Sequence, residues 1–400
     1  MDIQLLSASS SPAMNTILSD ATLDPLLYDL KTAYPLMSRQ KVSVKAGSSF
    51  DFGKTNTFQL NRFGILAGLV LKLSIANGAG TATPGSNFGN ALVKRAALTS
   101  HSREIEQTLD VANLCHVLEM PMGPKQNLMD LAMNDDNDQI TANKTVSVYV
   151  PLNFSFCRNG LSMALDLSFV EQIECSVELD TLANVMTASS TVTLDAANCE
   201  LLCYYYNLSE SDLRKYEDAE FSIEAPLSLM SSSVYKENSV TTASVAAENS
   251  TDVTLNFNCP NVITKTIIAV HTDGTGKKGD YQSVDKIQYF MSGRLVHEST
   301  GVECQKLENS LFYGTSYGAG EIVGSDDVQN VYTHFWGVSN ERNRFSGGCS
   351  GKNISDFSAK IFLKNGSSGA LTYVVEAQHE YVNIVSISGA SGKIGVSLSL

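Results

Sequence analysis

Val93-Lys94-Arg95-Ala96-Ala97-Leu98-Thr99-Ser100-His101-Ser102-Arg103-Glu104-Ile105 aligns without gaps to Val284-Asp285-Lys286-Ile287-Gln288-Tyr289-Phe290-Met291-Ser292-Gly293-Arg294-Leu295-Val296, at an offset of 191 residues. Each copy reads as a strand, a polar turn (His101-Ser102-Arg103 or Ser292-Gly293-Arg294) and a return, the pattern of a β-hairpin. A chain of 400 residues has about twice the length of one compact domain, so the repeat predicts two similar β-units in tandem.

Outward from the hairpins, everything from Val42 onward is punctuated as β-structure. Short runs of Val, Ile, Leu, Thr, Phe and Tyr alternate with Gly, Ser, Asn and Asp clusters. Strands are expected at Thr55–Leu60, Leu66–Ala76, Leu92–Thr99, Thr145–Phe156, Gln172–Leu179 and Cys199–Tyr206 in the first half. In the second they fall at Phe221–Ile223, Asp252–Phe257, Ile263–Thr272, Lys286–Met291, Val331–Val338, Ser358–Leu363, Tyr373–Ala377 and Asn383–Ile387. Two segments look helical instead: Asp110–Glu119, apolar at 111, 114, 117 and 118, and Ser209–Asp218, where Ser209-Glu210-Ser211-Asp212 resembles a capping box.

The fold class read from this pattern is all-β: two tandem eight-stranded antiparallel jelly-roll sandwiches with a few short helices in the connections. Units of this length are too long for immunoglobulin-like domains. The expected division is an N-terminal arm or helix over residues 1–38, a first jelly roll over 39–208, a connector helix over 209–219 and a second jelly roll over 220–400. Within the arm, Asp24-Pro25-Leu26-Leu27 places an Asp before a Pro at a helix start.

Composition narrows the function. Hydrophobic residues make up 43% and charged residues 18%, with a net charge of -14 and a pI near 4.9. So charge-poor a surface suits contact with other protein, and the acidic balance disfavours holding nucleic acid by counterion release. The one concentrated acidic run, Asn134-Asp135-Asp136-Asn137-Asp138, reads as a solvated loop. Ion binding at Asp135, Asp136 and Asp138 is weakly supported, since the run lacks the glycine and distal glutamate of a calcium loop.

Lys72 interrupts the longest apolar run, Phe63–Leu71, so no membrane-spanning helix is expected. Met1-Asp2-Ile3-Gln4 lacks the basic start of a secretory signal, and synthesis in the cytoplasm is expected. The 8 cysteines contain no C-x-x-C pair and read as buried free thiols. Cys199 and Cys203 share a strand face too far apart to bridge. The 6 histidines do not cluster with cysteines at zinc-ligand spacing.

Motif by motif, chemistry is not found. Gly274-Thr275-Gly276-Lys277-Lys278-Gly279 fits G-x-G-x-x-G, but Asp280–Met291 reads as a strand and not as the helix a dinucleotide needs, so a flexible basic surface loop is expected. No G-x-S-x-G nucleophile elbow occurs, and Cys349 in Gly347-Gly348-Cys349-Ser350-Gly351 reads as loop without a base beside it. Glu171 and Glu174 would point to opposite faces of a strand. His101, His297, His334 and His379 read as partnered structural histidines, and Tyr332, His334 and Trp336 as sheet packing. No catalytic, cofactor-binding or metal-ligating residue and no cofactor is expected.

The segment Tyr149-Val150-Pro151-Leu152-Asn153-Phe154-Ser155-Phe156-Cys157-Arg158-Asn159-Gly160, with Met163-Ala164-Leu165 and Glu171–Leu179 after it, resembles double jelly-roll major capsid proteins of tailless icosahedral double-stranded DNA viruses. Further pieces come in family order: Leu92–Leu109 before a helix, Tyr204-Tyr205-Tyr206, Val331–Val338, Phe345-Ser346-Gly347-Gly348-Cys349-Ser350 and Glu380-Tyr381-Val382-Asn383-Ile384-Val385. Asn159-Gly160, where relatives often carry Pro, and a strand-like Lys393–Leu398 tail depart from the pattern.

The resemblance implies a homotrimer whose six sandwiches form a pseudo-hexagonal tile of a virion shell. It implies neighbouring trimers, penton and minor capsid proteins as partners. It also implies a peripheral contact of the arm with an internal viral membrane, and no sequence-specific nucleic acid binding. Alternatives are a minor capsid or spike protein, and a tandem jelly-roll carbohydrate-binding or carbohydrate-active protein, which would need clustered aromatics and carboxylates.

Overall fold

In the computed structural model the two repeated hairpins have the same register. Val93–Ser100 pairs with Arg103–Leu109 from Arg95 opposite Leu109 to Leu98 opposite Glu106, then shifts so that Thr99 faces Glu104. Lys286–Met291 pairs with Arg294–Thr300 from Lys286 opposite Thr300 to Tyr289 opposite His297, then shifts so that Phe290 faces Leu295. The β-bulge thus falls on Ile105 in one copy and on Val296 in the other. The turns put His101 (φ 48°) and Ser292 (φ 50°) in the left-handed region. Both pairs stand 191 residues apart, so the repeat is a repeat of backbone geometry.

The structure describes residues 37–61, 64–101, 103–120, 122–134, 139–158, 165–166, 173–188, 191–208, 227–259, 261–308, 330–337, 347–351, 354–388 and 393–397. The expected helices around Asp24–Leu30 and Ser209–Asp218, the strand Phe221–Ile223, and Asp135, Asp136 and Asp138 lie outside them.

Eight main strands build the first half: β1 (Met37–Lys45), β2 (Thr55–Gln59), β3 (Ile65–Asn77), β4 (Val93–Ser100), β5 (Arg103–Leu109), β6 (Lys144–Pro151), β7 (Ile173–Leu179) and β8 (Glu200–Leu208). The second half repeats them as β9 (Leu227–Lys236), β10 (Ser250–Asn256), β11 (Val262–Thr272), β12 (Lys286–Met291), β13 (Arg294–Thr300), β14 (Val331–Phe335), β15 (Ser358–Lys364) and β16 (Tyr373–Ser388).

One sheet of the first half runs β1-β8-β3-β6 and the other β2-β7-β4-β5. The second half runs β9-β16-β11-β14 and β10-β15-β12-β13, the same order shifted by eight strands. All these pairings are antiparallel, and each half is a jelly roll.

Alternation fills each sandwich. β7 buries Ile173, Cys175, Val177 and Leu179 and turns Glu174, Ser176 and Glu178 away; β15 does the same with Ala359, Ile361 and Leu363. Phe58, Leu71, Leu73, Val150 and Leu201 belong to the first core, and Ile268, Val270, Ile287, Ile361 and Val375 to the second.

A third cluster joins the halves. It packs Val111, Leu114 and Val117 of helix α1 (Asp110–Leu118) against Val234, Ile267, Ala269, Tyr281 and Val331. β11 is therefore covered on both faces, with Ile268 and Val270 turned to its own core and Ile267 and Ala269 to the helix side. This explains its nearly unbroken apolar run.

Four segments differ from the sequence expectation. β6 ends at Pro151 and is succeeded by a helical turn at Ser155–Arg158. There the Glu106 carboxylate accepts hydrogen bonds from the Ser155 amide and, at 2.6 Å, from its hydroxyl. Tyr373–Ala377 and Asn383–Ile387 are one strand, because the polar residues between them are buried with partners. Helix α2 (Met122–Leu131) was masked in the sequence by Gly123 and Pro124, tolerable only because they stand in its first turn. The Gly274–Gly279 segment is no free surface loop, because its backbone is bonded to the first half.

Leu71 is fully buried between Val150 of β6 and Leu201 of β8. We predict that Leu71→Ala costs about 2–5 kcal/mol, read from the urea midpoint at unchanged slope. A cost below about 1 kcal/mol would contradict this placement in the first core.

Candidate functional site

The helix α1 is amphipathic by sequence, yet all nine of its residues are buried, Asp110, Asn113 and His116 included. Its polar face meets the second sandwich instead of water. Buried charge needs compensation, and here each charge is met by groups from both halves.

Lys278 comes from the glycine-rich segment of the second half. Its Nζ lies 2.6 Å from Asp110 Oδ2 and 2.6 Å from Asp180 Oδ2, and it donates to Ala91 O at 3.3 Å. The segment is fastened by its backbone as well: Gly276 N donates to Ala183 O at 2.8 Å and Lys278 N to Asn184 O at 3.1 Å. Asn87 Nδ2 donates to Gly279 O at 3.0 Å.

The glycines are needed for this approach. A Cβ on Gly279 would stand 1.7 Å from Ser86 O, and Gly276 has φ +70° with Thr187 2.5 Å from where its Cβ would be. The expected flexible surface loop is thus corrected: its glycines serve close backbone packing, with the first sandwich as the partner.

The Asp110 carboxylate is also held by Gln378 Nε2 at 2.8 Å and accepts from Val111 N at 2.9 Å, while Gln378 Oε1 accepts from Ala112 N at 3.0 Å. Nearby, Lys236 pairs with Glu376. Burial pushes the Asp110 carboxyl up, but Lys278, Lys236 and Gln378 outweigh it and hold it below the usual range. Burial pulls Lys278 down, and Asp110 and Asp180 more than reverse that, so it is raised above its ordinary 10.5.

A second buried group lies at the other end of α1. Lys265 Nζ stands 2.8 Å from Glu119 Oε1 and 3.3 Å from Glu380 Oε2. His116 Nε2 lies 2.6 Å from Glu380 Oε1, and its Nδ1 3.4 Å from Glu119 Oε2. Burial works against both Lys265 and Glu119. Their mutual attraction wins, pushing Lys265 up to about 12 and Glu119 below its usual range.

The motifs that sequence reading tested for chemistry are dispersed. Cys349 sits in a two-residue bridge to β11, and burial pushes its thiol up to about 11, away from a reactive thiolate. Glu174 accepts from Gln59 Nε2 at the surface, while Glu171 lies outside the described residues. His379 meets Thr266 Oγ1 at 2.9 Å, and Trp336 Nε1 donates to the same hydroxyl at 2.8 Å. His334 stacks on Tyr289 at 4.9 Å, and burial with His297 beside it pushes it down to about 3.

Among the described residues, no three His, Cys, Asp or Glu converge as metal ligands. No helix among them is long and apolar enough to cross a membrane. Sequence reading missed Lys278, Asp110, Lys265 and Glu119; the signal available was the close backbone approach that the glycines of 274–279 announce.

Two like sandwiches locked by buried charge define a tandem jelly-roll protein. Residues 37–209 match the family model for the major capsid protein N-terminus. The family match thus spans the first sandwich, and the second sandwich repeats its topology, so the chain has the double jelly-roll fold.

Solved structures share the fold at low identity. VP54 of PBCV-1, fitted into a reconstruction of the virophage Sputnik, is 13% identical with a TM-score of 0.70, covering 91% of this chain and 97% of that one. The Faustovirus major capsid protein is 8% identical with a TM-score of 0.64, covering 91% and 92%. The major capsid protein of Sulfolobus Turreted Icosahedral Virus is 12% identical with a TM-score of 0.52, covering 86% and 96%. No curated protein sequence matches the chain.

Lys278→Met would leave Asp110 and Asp180 as buried, uncompensated carboxylates. We predict a loss of about 3–5 kcal/mol at neutral pH. Because the native Asp110 and Glu119 carboxyls are depressed, the wild-type stability they supply is present above the ordinary carboxyl range and lost as pH falls below it. In the variant, protonation of the stranded carboxylates removes the penalty, so the gap between the two proteins narrows as pH falls. Urea midpoints across the acid range check this; a gap constant with pH contradicts it.

Proposed function

We propose that the chain is a viral major capsid protein that assembles as a homotrimer, in which six sandwiches form a pseudo-hexagonal capsomer, and that capsomers tile an icosahedral shell. The observation that carries the reading is the side-by-side union of two topologically identical sandwiches, sealed by ion pairs that each need both halves. A unit with two like bodies at fixed spacing supplies alternate positions of a six-membered ring when three copies meet.

The division into an arm (1–38), a first jelly roll (39–208), a connector helix (209–219) and a second jelly roll (220–400) belongs to the same reading. So does synthesis in the host cytoplasm before incorporation into the virion. Neighbouring trimers, penton and minor capsid proteins are the proposed partners, and the arm lies against an internal viral membrane. No catalytic residue, cofactor, metal ion or sequence-specific nucleic acid contact is part of it.

Sedimentation of the purified full chain with electron microscopy of the same sample tests the proposal. A trimer mass with hexagonal outlines is expected, and a stable monomer that never tiles would overturn it. Removal of residues 1–36, which leaves β1 whole, is expected to preserve trimers and to reduce shell formation. Undiminished shell formation would refute the role of the arm.

A further inference from the structure

Within the chain, the edge strand of one sandwich meets the first strand of the other. Gln107 N on β5 donates to Ser233 Oγ on β9 at 3.0 Å, and Gln107 Nε2 donates to Val234 O at 2.6 Å. Ser233 and Val234 are 0% and 1% exposed. Among the described residues, the counterparts of its two halves are edge strands paired on one side only.

The register of the hairpins makes β13 the counterpart of β5, with Glu298 opposite Gln288 where Gln107 is opposite Ala97. Among the described residues β13 pairs on one side only, with β12. Its bulge residue Val296 is 47% exposed and Leu295 49%, whereas the equivalent bulge residue Ile105 is 5% exposed. At the other end, β1 is the counterpart of β9: Gln40 opposes Tyr205 and Lys41 opposes Tyr204 where Ser233 opposes Tyr381 and Val234 opposes Glu380, beside matching bulges at Ala67 and Thr264. Gln40 and Lys41 are exposed, and among the described residues β1 pairs only with β8.

Charge fits the same match. β1 carries Arg39, Lys41 and Lys45 and no acidic residue, while Glu298 replaces the neutral Gln107 at the matching place. Two exposed edges that are copies of a joint already made within the chain suit one occupant, a second copy of this chain.

We infer that β13 of one subunit packs against β1 of the next, repeating between chains the β5–β9 joint, with Leu295 and Val296 covered and Glu298 facing Gln40 and Lys41. This contact rests on the trimeric reading of the chain and specifies which edges meet in it. The joint is heterologous, head to tail, and in the proposed trimer three such joints alternate with the three in-chain ones to close the ring.

The test is the full-length double variant Gln40→Cys/Glu298→Cys under mild oxidation, read on non-reducing gels, with wild type as control for the native thiols. Alongside it, Val296→Glu is measured by sedimentation and by thermal melting. Covalent dimers and trimers are expected from the double variant and none from wild type. Val296→Glu is expected to weaken trimer association about tenfold or more while its monomer keeps a cooperative melt.

Trimers that do not cross-link and that tolerate Val296→Glu would overturn this contact and leave the trimer standing. A wild-type chain that is monomeric throughout would overturn both.

Discussion

The ammonium of Lys278, held between the carboxylates of Asp110 and Asp180, is the constraint on which the arrangement of the molecule depends. Two of these groups belong to the first sandwich and one to a loop of the second. None of them can remain charged and buried unless the halves dock in one orientation. Buried ion pairs add little net stability over well-packed apolar residues, but any misdocked state strands their charges, so they select one geometry. Lys265, Glu119, Glu380 and His116 impose the same condition at the other end of α1. The apolar cluster around Val111, Leu114 and Ile267 supplies area without direction. In the proposed shell, fixed orientation matters more than added stability, because an error in the angle within a subunit recurs at every position of the assembly.

The duplication shapes the surface as well as the core. Strand order, hairpin register and bulge position recur in the two halves, but their surroundings do not. β5 is covered by β9, whereas β13 keeps apolar residues in the open. A chain of two like bodies joined head to tail has one satisfied joint and one divided joint. That asymmetry, together with a charged fraction of only 18%, is what the proposed trimer contact uses.

Much of the fold was legible in the sequence because its signals are local. Alternation marked β7 and β15, the apolar face marked α1, and the gapless match at 191 residues carried over to matched bulges at Ile105 and Val296. What was illegible depends on distant partners. Gln378, His379 and Glu380 read as a break between two strands, since nothing local says that Asp110, Thr266 and Lys265 await them. Lys278 read as a surface lysine among glycines for the same reason. Gly276 and Gly279 did announce a close approach, but a G-x-G-x-x-G pattern does not say whether phosphate or protein is approached.

Denaturant unfolding monitored by two probes tests most directly whether the seam makes the sandwiches one body. Trp336, the single tryptophan, packs on the second core, and hydrogen exchange of the β3 amides reports on the first. Coincident transitions at neutral pH are the predicted result. Loss of the Trp336 signal while β3 remains protected would show two independent domains and contradict the account.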